Sequence, residues 1–240
     1  NSGTLTLTNA NTYTGTTTVG TGSQTADVTL ALGTSGAISS SLVTLNGSSS
    51  YKAILDITQT TSGASIKSLS SSGTAANDLV YLGAKTLTLS NANNTFAGVI
   101  ADAGGITSAT GGGLTLSAGT ETLTNANTYT GTTTVNGGTL QLGDGGSLSN
   151  SSALSMGGTS ATLDLYGNSQ TFASLAGSAA GDIILNSKSA TAVTLTINNG
   201  SGYTFAGVIK DNSGTGGTTA LTLNSGTLTL TNANTYTGTT

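Results

Sequence analysis

Few residues of this chain can do acid–base or nucleophilic chemistry. The 240 residues include no His and no Cys, five Lys or Arg, and nine Asp or Glu. Without His there is no ordinary general base near neutral pH and no imidazole ligand, and without Cys there is no thiolate nucleophile, zinc cluster or disulfide. The composition therefore favours a protein that works by its shape, and we expect no enzyme activity, no cofactor and no metal site.

Carboxylates are the remaining candidates for catalysis. Glycosidases act through a pair of carboxyl side chains, and five Asp residues would suit a glycan-cleaving site if the fold brought them together: Asp56, Asp102, Asp164, Asp182 and Asp211. Such sites also use aromatic platforms and basic residues, whereas this chain has seven Tyr, three Phe and no Trp. Glycan binding or cleavage is therefore an alternative function.

Two short motifs match known sites only in part. Ser49 and Lys52 have the S-x-x-K spacing of serine acylases, but no S-D-N or K-T-G segment accompanies them. The glycines around Asp144 suggest a calcium turn, yet the nonapeptide series of such turns is missing. Five scattered lysines in a chain of pI about 4.2 form no basic stripe, which excludes nucleic acid as a partner. No apolar run approaches the roughly 18 residues of a membrane helix, so we expect no membrane insertion by this segment.

The hydrophobic pattern predicts strands almost everywhere. Leu5 and Leu7, like Leu228 and Leu230, alternate with Thr, and this period-two pattern gives a strand one aliphatic face. Turn signals such as Asn136-Gly137 separate the strands every 8 to 14 residues or so. No stretch sustains the spacing of an amphipathic helix. We therefore predict an all-β fold of short strands and tight turns.

An internal repeat organises the chain. Residues 1–17 (NSGTLTLTNANTYTGTT) recur letter for letter at 224–240, and a further copy begins at Gly119, so the copy starts at Gly3, Gly119 and Gly226 are 116 and 107 residues apart. The segment TFAGVI recurs at 95–100 and 204–209, each time with an Asp two residues later. We predict units at 1–118, 119–225 and 226–240 within one continuous structure, and we expect a longer repetitive parent protein.

The repeat favours a parallel solenoid over a sandwich or barrel of hairpins. No Pro-rich or charged linker separates the copies, and a solenoid tolerates unequal copies because an insertion becomes a side loop. The chain contains no Pro, which suits strands that pair on both sides. Ten or eleven coils of some 22 residues would make an elongated rod of about 50 Å at roughly 4.8 Å per coil.

The segment Gly119–Gly146, GTETLTNANTYTGTTTVNGGTLQLGDGG, resembles the autotransporter-associated β-strand repeat. The resemblance holds at Gly3–Val19 and Gly226–Thr240 and weakens at Thr86–Ile100 and Thr194–Ile209; Glu121 replaces the first motif Leu. It implies a right-handed parallel β-helix in an exported passenger region, extracellular or on the surface of a Gram-negative bacterium.

The motif residues are predicted to have structural roles. We expect the tyrosines to close the interior at a corner, the asparagines to form turns, and the glycines to supply positive φ. The residues concerned are Asn9, Asn11, Tyr13, Gly15, Asn125, Asn127, Tyr129, Gly131, Asn232, Asn234, Tyr236 and Gly238.

The sequence thus predicts a structural stalk or fibre segment of a giant repetitive secreted or surface-anchored bacterial protein, supporting adhesion, matrix or filament formation. The expected partners are further copies of the repeat, in cis or end-to-end, and cell-surface or matrix glycans. The T-x-T pairs also raise an ice-binding threonine array as an alternative, although their spacing along the chain is irregular.

Overall fold

The computed structural model describes residues 3–198, 202–212 and 217–240. These residues form 25 short β-strands, one 3-10 turn at Ala75–Asn77 and no α-helix. Every strand pairing is parallel, and the chain winds into a β-solenoid of about 9 turns. The predicted all-β fold and the solenoid architecture are confirmed.

Each turn crosses three faces, which we number in the order in which the chain meets them. Face 1 contains β1 (Gly3–Leu7), β3 (Val28–Leu32), β5 (Ala53–Asp56), β8 (Asp78–Tyr81), β11 (Val99–Ala101), β18 (Gln170–Phe172), β21 (Ala192–Asn198) and β24 (Thr218–Ser225). Face 2 contains β6 (Ala64–Ile66), β9 (Thr86–Leu89), β12 (Gly113–Leu116), β14 (Thr133–Val135), β16 (Leu154–Met156), β19 (Leu175–Gly177), β22 (Tyr203–Phe205) and β25 (Leu228–Leu230). Face 3 contains β2 (Thr17–Val19), β4 (Leu42–Leu45), β7 (Ser68–Ser71), β10 (Ala92–Phe96), β13 (Gly119–Leu123), β15 (Gly138–Leu142), β17 (Ala161–Asp164), β20 (Ile183–Asn186) and β23 (Val208–Asp211).

Faces 1 and 3 are each interrupted once but stay aligned. On face 1 an isolated bridge joins Ala126 to Ser147 between β11 and β18. On face 3 the Asn93 amide donates to the Ser68 hydroxyl, so that β10 lies beside β7. The isolated bridge on face 1 and this hydrogen bond on face 3 keep the strands before and after each break in line.

The core lies inside the coil and follows the alternation in the sequence. On face 2, Leu87 and Leu89 of β9 stack on Leu114 and Leu116 of β12, and all four side chains are fully buried. Burial of one such leucine stabilises the fold by about 2 kcal/mol. A second, smaller cluster of Ile54, Leu79 and Tyr81 lies apart from this core.

The solenoid has fewer turns than the predicted ten or eleven. Turns that hydrogen-bond to each other are 19 residues apart at Thr133 and Ser152 but 28 apart at Asn125 and Ala97. Corner loops account for the difference, because residues in a loop lengthen a turn without adding a strand. Residues 102–112 form the longest of these loops on the first half of the rod.

The three copies of the repeat begin on three different faces. The first starts on face 1 at β1, the second on face 3 at β13, and the third on face 2 at β25. From β1 to β13 the chain makes four full turns and then crosses two more faces, and from β13 to β25 it does the same. The copies are 116 and 107 residues apart, but the same number of strand positions separates each pair of successive copies. Each copy is turned by one third of a turn relative to the copy before it. The predicted unit boundaries within this continuous structure stay a prediction.

Candidate functional site

The two recurring segments of the sequence bind each other. We call Gly119–Gly131 and its equivalents the motif, and Thr95–Asp102 and Thr204–Asp211 the acceptor segments. The interior motif lies directly above the first acceptor segment: Asn125 Nδ2 donates to Ala97 O at 3.0 Å, and Asn127 Oδ1 accepts from Ile100 N at 2.9 Å. The motif therefore forms side-chain hydrogen bonds to the backbone of the turn before it.

The last copy repeats this arrangement on another face. Asn232 Nδ2 donates to Ala206 O at 3.1 Å, and Asn234 Oδ1 accepts from Ile209 N at 2.8 Å. The amide of Gly238 donates to Thr219 O at 3.0 Å. The same pairs of positions meet on different faces. We call these hydrogen bonds between a motif and an acceptor segment the interlock; it depends on the two segments and not on their place along the rod.

An aspartate ends each acceptor segment and binds the following motif. Asp102 accepts from Thr130 N at 3.0 Å and from Thr130 Oγ1 at 2.6 Å, and also from Gly111 N and Gly112 N at 3.0 Å each. Asp211 likewise accepts from the amide and the hydroxyl of Thr237. Hydrogen bonds to a carboxylate are about twice as strong as those between neutral groups. These aspartates therefore fasten one turn to the next.

The second motif asparagine connects three consecutive turns in the interior copy. Asn127 accepts from Ile100 N below it, and its Nδ2 donates to Asn125 O within its own turn and to Ser147 O above it. Burial of an amide is tolerated only with such partners. Asn127 was predicted to form a turn. It also joins the turns below and above it, which the sequence did not predict.

The motif tyrosine fills the core from a corner. Tyr129 is 0% exposed, and its hydroxyl lies 2.7 Å from Thr133 Oγ1, which in turn lies 3.0 Å from Ser152 Oγ. Burial raises the pKa of the Tyr129 phenol, which stays protonated and able to donate. The corresponding Tyr13 hydroxyl makes the same bond to Thr17 at 2.8 Å, although 41% of this side chain is exposed.

The predicted reason for the motif glycines is wrong. Gly15, Gly131 and Gly238 are not among the glycines with positive φ. A Cβ on Gly131 would lie 2.3 Å from the carbonyl oxygen of Gly111, and one on Gly238 would lie 2.4 Å from that of Thr219. The motif needs glycine here because the backbone of the previous turn comes too close for a side chain.

Candidate aspartates accept hydrogen bonds from groups of the protein itself. Asp56 accepts from Thr58 N, Thr58 Oγ1 and Ile106 N, and Asp164 is similarly surrounded by donors from Gln141, Tyr166 and Ser187. Within the ranges that the structure describes, no three His, Cys, Asp or Glu residues are close enough to hold a metal. The carboxylates are used singly, as hydrogen-bond acceptors.

The other candidate motifs also lie apart from one another. Asp144 forms an ion pair with Lys188 on the surface, with an N–O distance of 2.5 Å. Ser49 is exposed in a bend, and the backbone amide of Lys52 donates to Asp27 Oδ1 at 2.8 Å. Neither place gathers the groups that calcium binding or acylation requires.

The interior motif contains a buried carboxyl, that of Glu121. In the sequence this residue stood out only because it replaces the first Leu of the motif. Glu121 is 0% exposed; its Oε2 accepts from Ser68 Oγ at 3.3 Å, while its Oε1 has no hydrogen-bond partner. Its register partners are Asn94 below and Leu140 above. Desolvation raises the pKa of this carboxyl well above its usual range. Substitution of the motif Leu by Glu thus places an ionisable group in the core.

The threonines do not form a T-x-T array along the rod. Thr120 and Thr122 of β13 lie between Asn93 and Thr95 below and Thr139 and Gln141 above. On face 2 the outward positions in register carry Thr or Ser from Ser65 to Ser155, and Ala176 interrupts this series. A flat lattice of paired threonines, which ice binding was expected to need, is absent from the residues described on these faces.

The fold and this interlock define the class: a parallel β-solenoid built from repeated, mutually binding segments. Residues 1–23, 116–142 and 223–240 match the family model of the passenger-associated-transport repeat. These matches confirm the resemblance to autotransporter passenger repeats. Comparison with curated proteins and with solved structures finds no match.

The family match also bears on location and activity. The repeat and the solenoid fit an autotransporter passenger domain, which indicates a secreted or cell-surface location. The repeat belongs to a structural family and not to a known enzyme family. No helix among the described residues is long and apolar enough to cross a membrane.

Proposed function

We propose that this chain is a structural stalk or fibre segment of a secreted or surface-anchored protein of a Gram-negative bacterium, and that it supports adhesion, matrix or filament formation by providing length. The observation that carries the proposal is the parallel pairing of strands along three faces, reinforced between turns by Asp102, Asp211 and the motif asparagines. Further copies of the repeat are the proposed partners.

The arrangement of polar groups supports a structural role. The carboxylates of Asp56, Asp102 and Asp164 each accept several hydrogen bonds from the protein itself, so they present no paired acid and base to a substrate. The outward strand positions carry mostly Thr, Ser and Asn. Such a surface favours weak, multivalent contacts, including contacts to glycans, over one tight binding pocket.

The test is to measure length against copy number. Arrays of one, two and three of the 223-residue periods should appear by electron microscopy as rods of constant width. Their length should grow by about 45 Å per period, because each period adds nine and one-third turns at about 4.8 Å each. Compact particles, or beads separated by flexible linkers, would contradict the proposal.

A further inference from the structure

An asparagine followed by glycine occurs twice in the described chain, at Asn46-Gly47 and Asn136-Gly137; a further pair, at 199–200, lies outside the described residues. We infer that Asn136 is a site of spontaneous deamidation and that the carboxyl of Asp78 protects Asn46 from the same reaction. The inference concerns the chemical ageing of the molecule. It goes beyond the proposed structural function and does not depend on it.

The reaction needs only the chain and water. Hydroxide removes the proton of the glycine amide, and the nitrogen attacks Cγ of the asparagine side chain. The bond from Cγ to Nδ2 breaks, and ammonia leaves with a proton from water, which restores the hydroxide. Water then opens the resulting cyclic succinimide at either carbonyl, which gives aspartate or isoaspartate. Glycine favours this ring closure because it has no Cβ to obstruct the approach.

The two pairs stand at equivalent corners of the solenoid. Asn46 follows β4 on face 3, and Asn136 follows β14 on face 2. Each is anchored to the turn below by its own amide, since Asn46 N donates to Val19 O and Asn136 N to Leu116 O, both at 2.8 Å. A difference in their reactivity should therefore come from the surroundings of the two glycines.

The amide of Gly47 is held by a buried carboxyl. Its N–H donates to Asp78 Oδ1 at 2.6 Å, and Asp78 is 0% exposed. Gly47 O accepts from Thr74 N at 2.9 Å. A Cβ on Gly73 would lie 2.4 Å from Gly47 N, so the turn above lies directly against this nitrogen. Gly47 is thus fixed at both its N–H and its carbonyl.

Asp78 opposes the reaction in two ways. A hydrogen bond that an N–H group donates stabilises its protonated form and so disfavours loss of the proton. The negative charge of the carboxylate also disfavours a second negative charge on the nitrogen beside it. A carboxylate is far too weak a base to remove the proton of an amide itself.

Gly137 lacks this protection. Asn136 is exposed and Gly137 is half-buried, whereas Gly47 is buried. Within the ranges that the structure describes, the Gly137 amide donates to no group of the protein. Hydroxide can therefore reach this nitrogen, and the nitrogen can turn towards the Asn136 side chain without losing a hydrogen bond to the protein.

Isoaspartate at position 136 would lengthen the main chain at a tightly packed corner. A Cβ on Gly158, in the turn above, would lie 1.7 Å from Asn136 O, and one on Gly138 would lie 2.0 Å from Gly119 O in the turn below. Such packing leaves no room for an extra main-chain atom. Aged protein should therefore unfold at a lower temperature than Asn136→Asp, which carries the charge without the extra atom.

Mass spectrometry of the full chain tests the inference. The folded protein is kept in mildly alkaline buffer, and samples are quenched in acid, denatured and cleaved after lysine. The two pairs then lie in different peptides, 1–52 and 86–188, and 199–200 lies in 189–210. The mass gained when NH2 is replaced by OH reports deamidation, and fragmentation of the peptides locates it. Asn136 should convert, and Asn46 should convert more slowly by about tenfold or more, the factor that one hydrogen bond to a charged group corresponds to.

The urea-denatured chain is the matched control. Both pairs should convert there at similar rates, because neither the corners nor Asp78 act on them any longer. In the folded protein, Asp78→Ala should raise the rate at Asn46 by about tenfold and leave the rate at Asn136 unchanged. Asp78→Asn keeps an oxygen acceptor for the Gly47 amide but no charge, so its rate at Asn46 should be intermediate. It replaces Asp78→Ala if circular dichroism shows that the alanine variant does not fold.

Equal rates at Asn46 and Asn136 in the folded protein, or an Asn136 that does not convert, would overturn the inference. An Asn46 that stays as slow in the folded Asp78 variants as in the unmodified protein would overturn the protective role of Asp78. These outcomes leave the proposed stalk function untouched, because that function is tested separately by the length of rods against copy number.

Discussion

The interior and terminal copies of the motif have nearly the same sequence but different surroundings. Tyr129 in the interior copy is completely buried, whereas Tyr13 at the first turn is 41% exposed, although each hydroxyl bonds to the threonine four residues later. Gly131 presses on the backbone of the previous turn, and Gly15 faces open space. The local hydrogen bond is encoded within the motif itself. The burial is contributed by the neighbouring turns.

This difference shows where the stability of the solenoid resides. Most contacts of a turn are with the turns next to it, so the free energy of a turn depends mainly on these interfaces. The same substitution should therefore have a large effect in the interior copy and a small effect at an end.

The largest difference is expected for the tyrosines. Tyr129→Ala should lower the free energy of unfolding by about 4 kcal/mol, because it removes a fully buried aromatic side chain and leaves a cavity. Tyr13→Ala should cost less than about 1 kcal/mol, since this ring is already partly in water. Equilibrium denaturation with urea measures both, and equal losses would show that burial by neighbouring turns is not the decisive factor.

Removal of the aspartate that fastens two turns should come next. Asp102→Ala leaves the amides of Gly111, Gly112 and Thr130 without their acceptor and should cost about 3 kcal/mol. Asp211→Ala, near the last turn, should mainly loosen Gly226–Thr240. Hydrogen exchange of that segment should then be faster, while exchange in β13 is unchanged. Protection of the segment equal to that of the unmodified protein would contradict the role of Asp211.

The glycines should give a smaller contrast. Gly131→Ala places a methyl group against the carbonyls of the previous turn and should cost about 2 kcal/mol. Gly15→Ala meets no atom and should be neutral or slightly stabilising, because it restricts the unfolded chain. Thermal unfolding of the pair checks this. A neutral Gly131→Ala would mean that the turns can move apart at no cost.

The smallest effect concerns the one motif position at which the interior copy differs chemically. Glu121→Leu restores the residue of the other copies and should stabilise the fold by about 1–2 kcal/mol at neutral pH, because it removes a buried carboxyl with an unpaired oxygen.

The same residue predicts a pH dependence. The pKa of Glu121 is raised in the folded state, so the folded state binds the proton more tightly than the unfolded chain does. Its stabilising contribution is complete below the unfolded pKa of about 4.3 and is lost as the pH rises through the folded pKa. Glu121→Gln should flatten this part of the stability profile. Denaturation at a series of pH values compares the two proteins, and parallel profiles would rule out Glu121 as the source.

Much of the fold could be predicted from the sequence because the alternation is explicit. Leu114 and Leu116, separated by one Thr, can bury both side chains only as a strand, and the absence of linkers between the copies indicated a continuous solenoid. The structural roles of Tyr129 and Asn127 follow from the same pattern, because a lone aromatic and an amide at a corner have few other uses.

The interlock and the rotation between copies could not be predicted, because both depend on how many turns separate two segments. TFAGVI followed by Asp was visible at two places, yet which turn Asp102 would bind depended on the length of the loop at 102–112. The positive φ expected for Gly131 was wrong for a related reason: the approach of the previous turn, which the sequence does not display, is what requires glycine.

The rotation by one third of a turn between copies has a mechanical consequence. A bulky corner loop, such as that at 102–112, thickens one side of the rod and tends to bend it. In an array that keeps the same count of strands, the corresponding corner faces a new direction in each copy. Three copies then span fourteen turns, about 67 Å, before the direction recurs. In the proposed array, bends imposed at this corner would therefore point in three directions, one third of a turn apart, and would oppose one another.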